Sequence, residues 1–314
     1  MAKNFTDKLV EAVKLKGNPI CVGLDPRLEL IPGFIKRAAI ERSDGTPMAA
    51  AADAIVAFNK GIIDAVESIV PVVKPQIAFY EIFGHEGVRA YEETLRYAKS
   101  KGLITIADAK RNDIGSTATA YAQAFLGETV MFEKEKEVVL PMFDADSITV
   151  NAYLGWDGIK PFVEECRKYD KGIFSLVKTS NPSSGDLQDL ELKEGGTVFE
   201  LMGNMIDSWG SDDIGENGYS LIGAVVGATF PEQARKLRKI MPNSYFLVPG
   251  YGAQGGGAED VKPCFNKDGL GAVVNSSRGI TFAYQKMDGY EEAQFAEAAR
   301  KAVEVMRDDL ATIF

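Results

Sequence analysis

The stretch IADAKRNDIGSTATAYA, residues 106–122, places Asp108, Lys110 and Asp113 where an apolar run gives out. Asp108 and Lys110 are two apart, so on a regular strand their side chains share one face. A second lysine, Lys74, ends the earlier run VPVVKPQ, and from an adjoining strand it can reach Asp108. The order Lys74, Asp108, Lys110, Asp113 sets each carboxylate near a cation. Opposite charge then offsets desolvation and keeps the groups ionised in a partly dry site. A lysine flanked by carboxylates holds its proton, which suits a general acid and not an amine nucleophile. The plainer reading is an ion pair closing the strand, with Asp113 as the N-cap of the helix that IGST begins. Against it, Asp108 follows LITIA directly and has no cap to serve.

Such residues need elements that bring them together. Eight short, nearly continuous apolar runs recur: PICVGLD (19–25), VPVVKPQ (70–76), LITIADAK (103–110), SITVNAY (147–153), GIFSLVK (172–178), LIGAVVG (221–227), SYFLVPG (244–250) and GAVVNSS (271–277). Apolarity without alternation is the mark of strands buried on both faces. Segments with helical periodicity lie between them: Ala49–Glu67, Val88–Lys101, Ser116–Phe125, Gly158–Tyr169, Thr197–Trp209, Pro231–Ile240 and, last, Tyr290–Asp309. Alternating strands and helices predict parallel pairing through right-handed crossovers, and eight units predict an α/β fold, a (β/α)8 barrel, ahead of a doubly wound sheet. No composition break marks a boundary, so residues 1–314 are expected to form a single domain.

In a barrel the site lies at the C-terminal ends of the strands. Those ends carry Asp25, Lys74, Asp108, Lys110, Asn151, Lys178, Gln254 and Arg278; four are cations in a chain of net charge −10, which suggests a pocket for an anion. Asp25 is either a turn residue or an acceptor for ligand hydroxyls. The loop VPGYGAQGGGAED and the strand end NSSRGI follow the seventh and eighth strands, where barrels commonly hold phosphate. Glycine-rich backbone N–H groups, the Arg278 guanidinium and the Gln254 amide supply the donors. KTSNPSSG after the fifth strand offers Ser180, Asn181 and Ser183, mostly turn residues, one of which could read the polar edge of a ring. The long segments 179–196 and 250–260 are expected to work as binding loops or a lid.

Composition excludes other classes. The acidic balance argues against a nucleic-acid surface. Three scattered cysteines (Cys21, Cys166, Cys264) lack metal-ligand spacing and are expected to be reduced. The one histidine, His85, reads as structural or solvated, so proton transfer falls to Lys, Asp or Glu. The N-terminal segment has the periodicity of an amphipathic helix without the apolar core of a signal peptide, and no window is long and apolar enough to span a membrane. A cytoplasmic location is expected. G-x-S-x-G, Walker-type and HExxH motifs are absent, and GYGAQGGG does not fit a dinucleotide fingerprint.

On CVGLDP, VKPQIAFYE, DAKRNDIGSTA, KTSNPSSGDLQ, VPGYGAQGG and NSSRGI, spread over nearly the whole chain, the sequence resembles the orotidine 5′-phosphate decarboxylase family, in its longer bacterial-type branch. The resemblance implies decarboxylation of orotidine 5′-phosphate to uridine 5′-monophosphate, the last step of de novo UMP synthesis, without metal or organic cofactor. It also implies a homodimer with shared sites. Lys74, Asp108, Lys110 and Asp113 would form a charged tetrad, with Asp113 serving the neighbouring subunit's site. Lys110 would protonate C6, Asp108 would face the departing carboxylate, and Lys74 would hold the aspartate and the ribose hydroxyls. Asp25 would bind ribose, with Thr117 reaching across the dimer. Ser180 would read the pyrimidine edge, with Thr179 beside it as the other option. Gln254 and Arg278 would grip phosphate. Two rival readings remain: a Mg-dependent sugar-phosphate decarboxylase or aldolase of the same suprafamily, disfavoured because VVKPQ offers a lysine where a ligating acid is needed, and an inactive nucleotide-binding barrel.

Overall fold

The computed structural model describes residues 3–42, 45–133, 136–252 and 255–314. Its strands are β1 (Ile20–Leu24), β2 (Val72–Pro75), β3 (Ile104–Arg111), β4 (Glu128–Glu133), β5 (Lys136–Pro141), β6 (Ser147–Val150), β7 (Gly172–Lys178), β8 (Ser220–Val226), β9 (Ser244–Val248) and β10 (Ala272–Ser276). Eight of them close a barrel in the order β1-β10-β9-β8-β7-β6-β3-β2, every neighbouring pair parallel. These are the eight apolar runs of the sequence, and the fold is the (β/α)8 barrel that their alternation with helices predicts. The helices Pro47–Val66, Gly84–Ser100, Gly115–Phe125, Trp156–Tyr169, Val198–Gly210, Pro231–Ile240 and Phe295–Leu310 form the outer layer.

Side chains separate into two apolar sets. One packs the helices on the outside of the barrel. The other fills its interior, with Cys21, Val72, Ile106, Phe174, Val225, Tyr245, Leu247 and Val273 facing inward. The helix Phe5–Lys16, capped by Asn4, plugs the N-terminal end by inserting Phe5, Leu9, Val10 and Val13 into that set. Phe5 meets Phe174 edge to face at 6.0 Å, and a Cβ on Gly172 would lie 2.2 Å from the Phe5 ring, so glycine is required there. With its floor filled, the barrel leaves a cavity at the strand C-termini.

Two elements go beyond the sequence expectation. A helix at Gly33–Arg42 occupies the connection from β1 to β2. The hairpin β4–β5 stands outside the barrel, with Val130, Phe132, Val139 and Leu140 exposed. Its strands flank a charged run that lacks the Gly or Asn of common hairpin turns, so no turn signal separates them.

Candidate active site

Above the apolar interior the strand ends turn polar. Lys74 stands two residues past inward-facing Val72, and Asp108 two past Ile106. Lys74 Nζ donates to Asp108 Oδ2 at 2.8 Å, and both side chains are buried. Lys110 Nζ donates to Asp108 Oδ1 at 2.5 Å, with 45% of the lysine side chain still exposed. Thr149 Oγ1, from β6, donates to the same Asp108 oxygen at 2.9 Å. These residues form one side of a cavity of about 470 Å³, a size suited to a small-molecule ligand. Its remaining wall is Leu176, Val225, Leu247 and Pro249, with Thr179, Ser180, Asn181 and Gln188 at the rim.

Asp108 and Lys110 do meet, and they do so across an irregular stretch of β3. The register of β3 on β6 runs from Ala107↔Ile148 to Arg111↔Val150, so β3 carries two extra residues. Lys110 takes a left-handed backbone, φ 47°. A non-glycine residue persists in that conformation only where its surroundings enforce it.

Burial works against the charge of Lys74, but the carboxylates of Asp108 and Asp25 outweigh it and raise the ammonium above the ordinary lysine range. Burial also opposes ionisation of Asp108; the two lysines overcome it and hold the carboxyl well below the usual carboxylate range. The cavity therefore presents a fixed array of two ammonium groups around one carboxylate at neutral pH. Beneath it, burial pushes the Cys21 thiol up to about 12, and Cys21, Cys166 and Cys264 are all buried and unpaired.

The other candidate residues divide. Asp25 has a buried Oδ1 without a hydrogen-bond partner among the described residues, and its charge is felt at Lys74. A buried carboxylate oxygen without a donor is costly unless a ligand supplies one. Ser180 is brought to the rim by Gly227, where a Cβ would lie 2.7 Å from Ser180 Cα. The Thr179 hydroxyl is engaged: it donates to Asn181 Oδ1 at 2.7 Å and accepts from Gln188 Nε2 at 2.8 Å. Ser180 Oγ has no protein partner among the described residues, so of the two it is the one left to meet a ligand.

Asp113 stands apart from the cluster. It accepts a hydrogen bond from the adjacent Ile114 amide at 2.8 Å and forms no ion pair among the described residues. The helix Gly115–Phe125 has Ile114 at its N-cap, with no side-chain cap bond, so the capping account of Asp113 fails. Thr117 is exposed on that helix. Arg278 begins a short helix directly after β10 and is exposed. Gly252, in the loop after β9, lines a hollow with Ser276 and Gly279, which puts that loop beside Arg278. Gln254 lies outside the described residues.

Two strand-end expectations are corrected. Lys178 is fully buried and faces the helices: it binds Asp189 Oδ1 at 2.7 Å and Ser184 Oγ at 3.1 Å, with Phe230 4.4 Å from its Nζ. Asn151 caps the turn Ala152–Leu154 through Tyr153 N, and β6 contributes Thr149 to the cavity in its place. Thr149, Gln188 and the apolar wall went unnoticed in the sequence. The available signal was position: Leu176 and Leu247 each fall two residues beyond an inward-facing side chain, and Val225 itself faces inward. His85 is 85% exposed.

The family model for orotidine 5′-phosphate decarboxylase / HUMPS matches residues 18–293. The orotidine 5′-phosphate decarboxylase of Caldicellulosiruptor bescii is 43% identical over 308 residues, 98% of each chain. That of Rhodopirellula baltica is 44% identical over 309 residues, again 98% of each. Among solved structures, Leishmania donovani OMP decarboxylase superposes with a TM-score of 0.71 at 30% identity, covering 99% of this chain and 98% of that one.

Proposed function

The chain belongs to the orotidine 5′-phosphate decarboxylase / HUMPS family and decarboxylates orotidine 5′-phosphate to uridine 5′-monophosphate; we propose that the Lys74–Asp108–Lys110 cluster performs this step. One observation carries the assignment: an ionised Asp108 fixed between two ammonium groups in a cavity that also presents Leu176, Val225 and Leu247. When the C6–carboxylate bond breaks, carbon dioxide leaves and the electron pair stays on C6. The Lys110 ammonium, exposed into the cavity, stabilises that charge without reorganising and then gives C6 its proton. Water reprotonates the amine. Asp108 repels the substrate carboxylate mildly and holds Lys110 in place, while Leu176, Val225 and Leu247 offer an apolar surface to uncharged carbon dioxide.

Asp25, with its unpartnered oxygen, takes the ribose hydroxyls, and Ser180 takes the pyrimidine edge. Arg278 and the loop after β9, including Gln254, take the phosphate, whose binding energy is then used at C6 through loop closure. The active form is a homodimer in which Asp113 and Thr117 reach the partner's cavity. Asp113 pairs with no cation among the described residues of its own chain, and exposed Ile114, Tyr153, Leu154 and hairpin residues provide apolar surface for the contact. Residues 1–314 act as one catalytic domain in the cytoplasm, without cofactor or nucleic-acid partner. No helix of the described residues is long and apolar enough to cross a membrane.

Purified protein should deplete orotidine 5′-phosphate, followed by ultraviolet absorbance, equally with and without EDTA. Loss of activity in EDTA would instead favour the Mg-dependent relatives. Tight binding of uridine 5′-monophosphate without turnover would favour an inactive barrel. Mixing Lys110→Ala with Asp113→Ala subunits should recover about a quarter of wild-type activity, because each mixed dimer regains one intact site. No recovery in verified mixed dimers would refute site sharing.

A further inference from the structure

Thr149 is buried on β6, where a hydroxyl is an expense unless all its hydrogen-bonding capacity is met. Here it is met in full. Oγ1 donates to Asp108 Oδ1 at 2.9 Å and accepts from the amides of Ala109 and Lys110, each at 3.0 Å. A hydroxyl has one donor and two lone pairs, so the group is saturated. Both amides lie in the segment where β3 bulges away from β6 by two extra residues, and one belongs to Lys110, the residue with φ 47°. A left-handed lysine persists only where its surroundings hold it in place. Thr149 is placed to hold it while also fixing the carboxylate that Lys110 binds.

We propose that Thr149 is a positioning residue: its hydroxyl clamps the β3 bulge and Asp108 together and thereby sets where the Lys110 ammonium points in the cavity. The proposal rests on the catalytic assignment of Lys110 above. A clamp of this kind acts on the geometry of the reacting step and leaves the phosphate, ribose and base contacts on other strands intact. Its loss should therefore appear in kcat and not in KM. Valine matches threonine in shape but can neither donate to Asp108 nor accept from the two amides. Serine keeps all three bonds.

The test measures kcat and KM for orotidine 5′-phosphate in wild type, Thr149→Val, Thr149→Ser and Lys110→Ala, with active sites counted by uridine 5′-monophosphate binding. Thr149→Val should lose roughly 10- to 100-fold in kcat, the order of effect expected when a reacting group is displaced by about 1 Å, with KM within about threefold. Thr149→Ser should stay within about threefold of wild type on both. If Thr149→Val does not fold, Thr149→Ala removes the same bonds without placing a methyl beside Asp108 and carries the same expectation. A kcat within twofold of wild type in the valine or alanine variant, beside an inactive Lys110→Ala, would overturn the clamp alone. A raised KM with unchanged kcat would also overturn it, since the hydroxyl would then be holding substrate. Full activity in Lys110→Ala would overturn the catalytic assignment on which the clamp depends.

Discussion

Two strand ends in this barrel carry a lysine two residues beyond an inward-facing side chain: Lys110 after Asp108 on β3, and Lys178 after Leu176 on β7. Both strands are bulged at that point. On β3 the bulge adds two residues relative to β6, from 107 to 111 against 148 to 150, and Lys110 still reaches Asp108. On β7 it adds one relative to β8, from 176 to 178 against 225 to 226, and Lys178 turns outward to Asp189 and Phe230. Side-chain direction in a strand has period two, so an insertion of one inverts it and an insertion of two does not. One lysine is thereby given to the cavity and the other to the helical layer. A cation at a strand end is part of the site only if local register turns it inward.

The largest effect should come from the centre of the inward cluster. Asp108→Ala removes the group that both ammonium ions hold, and saturated turnover should fall by at least about a thousandfold. Next, Arg278→Ala should weaken binding of the phosphorylated substrate by about 10- to 100-fold, the scale of lost charge-assisted hydrogen bonds, with little change for the free nucleoside. Equal losses in isothermal titrations of nucleotide and nucleoside would contradict that assignment. The outward lysine should behave differently. Lys178→Met breaks a pair whose lysine is fully buried and whose aspartate is 40% exposed, so stability should fall by about 1–3 kcal/mol, a few degrees in Tm. The smallest effect concerns pH. Asp108 titrates lower in the folded chain than in the unfolded one, so its contribution to stability is present above about pH 4 and is lost as pH falls below that. The stability gap between wild type and Asp108→Asn in denaturant titrations should therefore narrow in acid.

The barrel itself was legible because its strands are buried on both faces and read as unbroken apolar runs, whatever their tertiary partners. The hairpin β4–β5 was not, since VMFE and EVVL meet across charge instead of glycine or asparagine. In the site, residue type and spacing were enough to pick out Asp108, Lys110 and Lys74. They could not disclose that Lys110 sits in a bulge, because a bulge is a relation between two strands and leaves no period in one. For the same reason Lys178 looked like a rim cation, and Thr149, whose hydroxyl matters only against the β3 backbone, looked like one more β-branched strand residue. Ser180 became distinguishable from Thr179 only when Asn181 and Gln188 were seen to occupy the threonine hydroxyl.

The most direct test of the contrast is the rate of orotidine 5′-phosphate decarboxylation at saturating substrate, compared between Lys110→Ala and Lys178→Met below the melting range of both. Lys110→Ala should fall by more than about a thousandfold while still binding uridine 5′-monophosphate, and Lys178→Met should remain within about tenfold of wild type. Comparable losses in the two, or the larger loss in Lys178→Met, would contradict the assignment of catalysis to the inward-facing cluster.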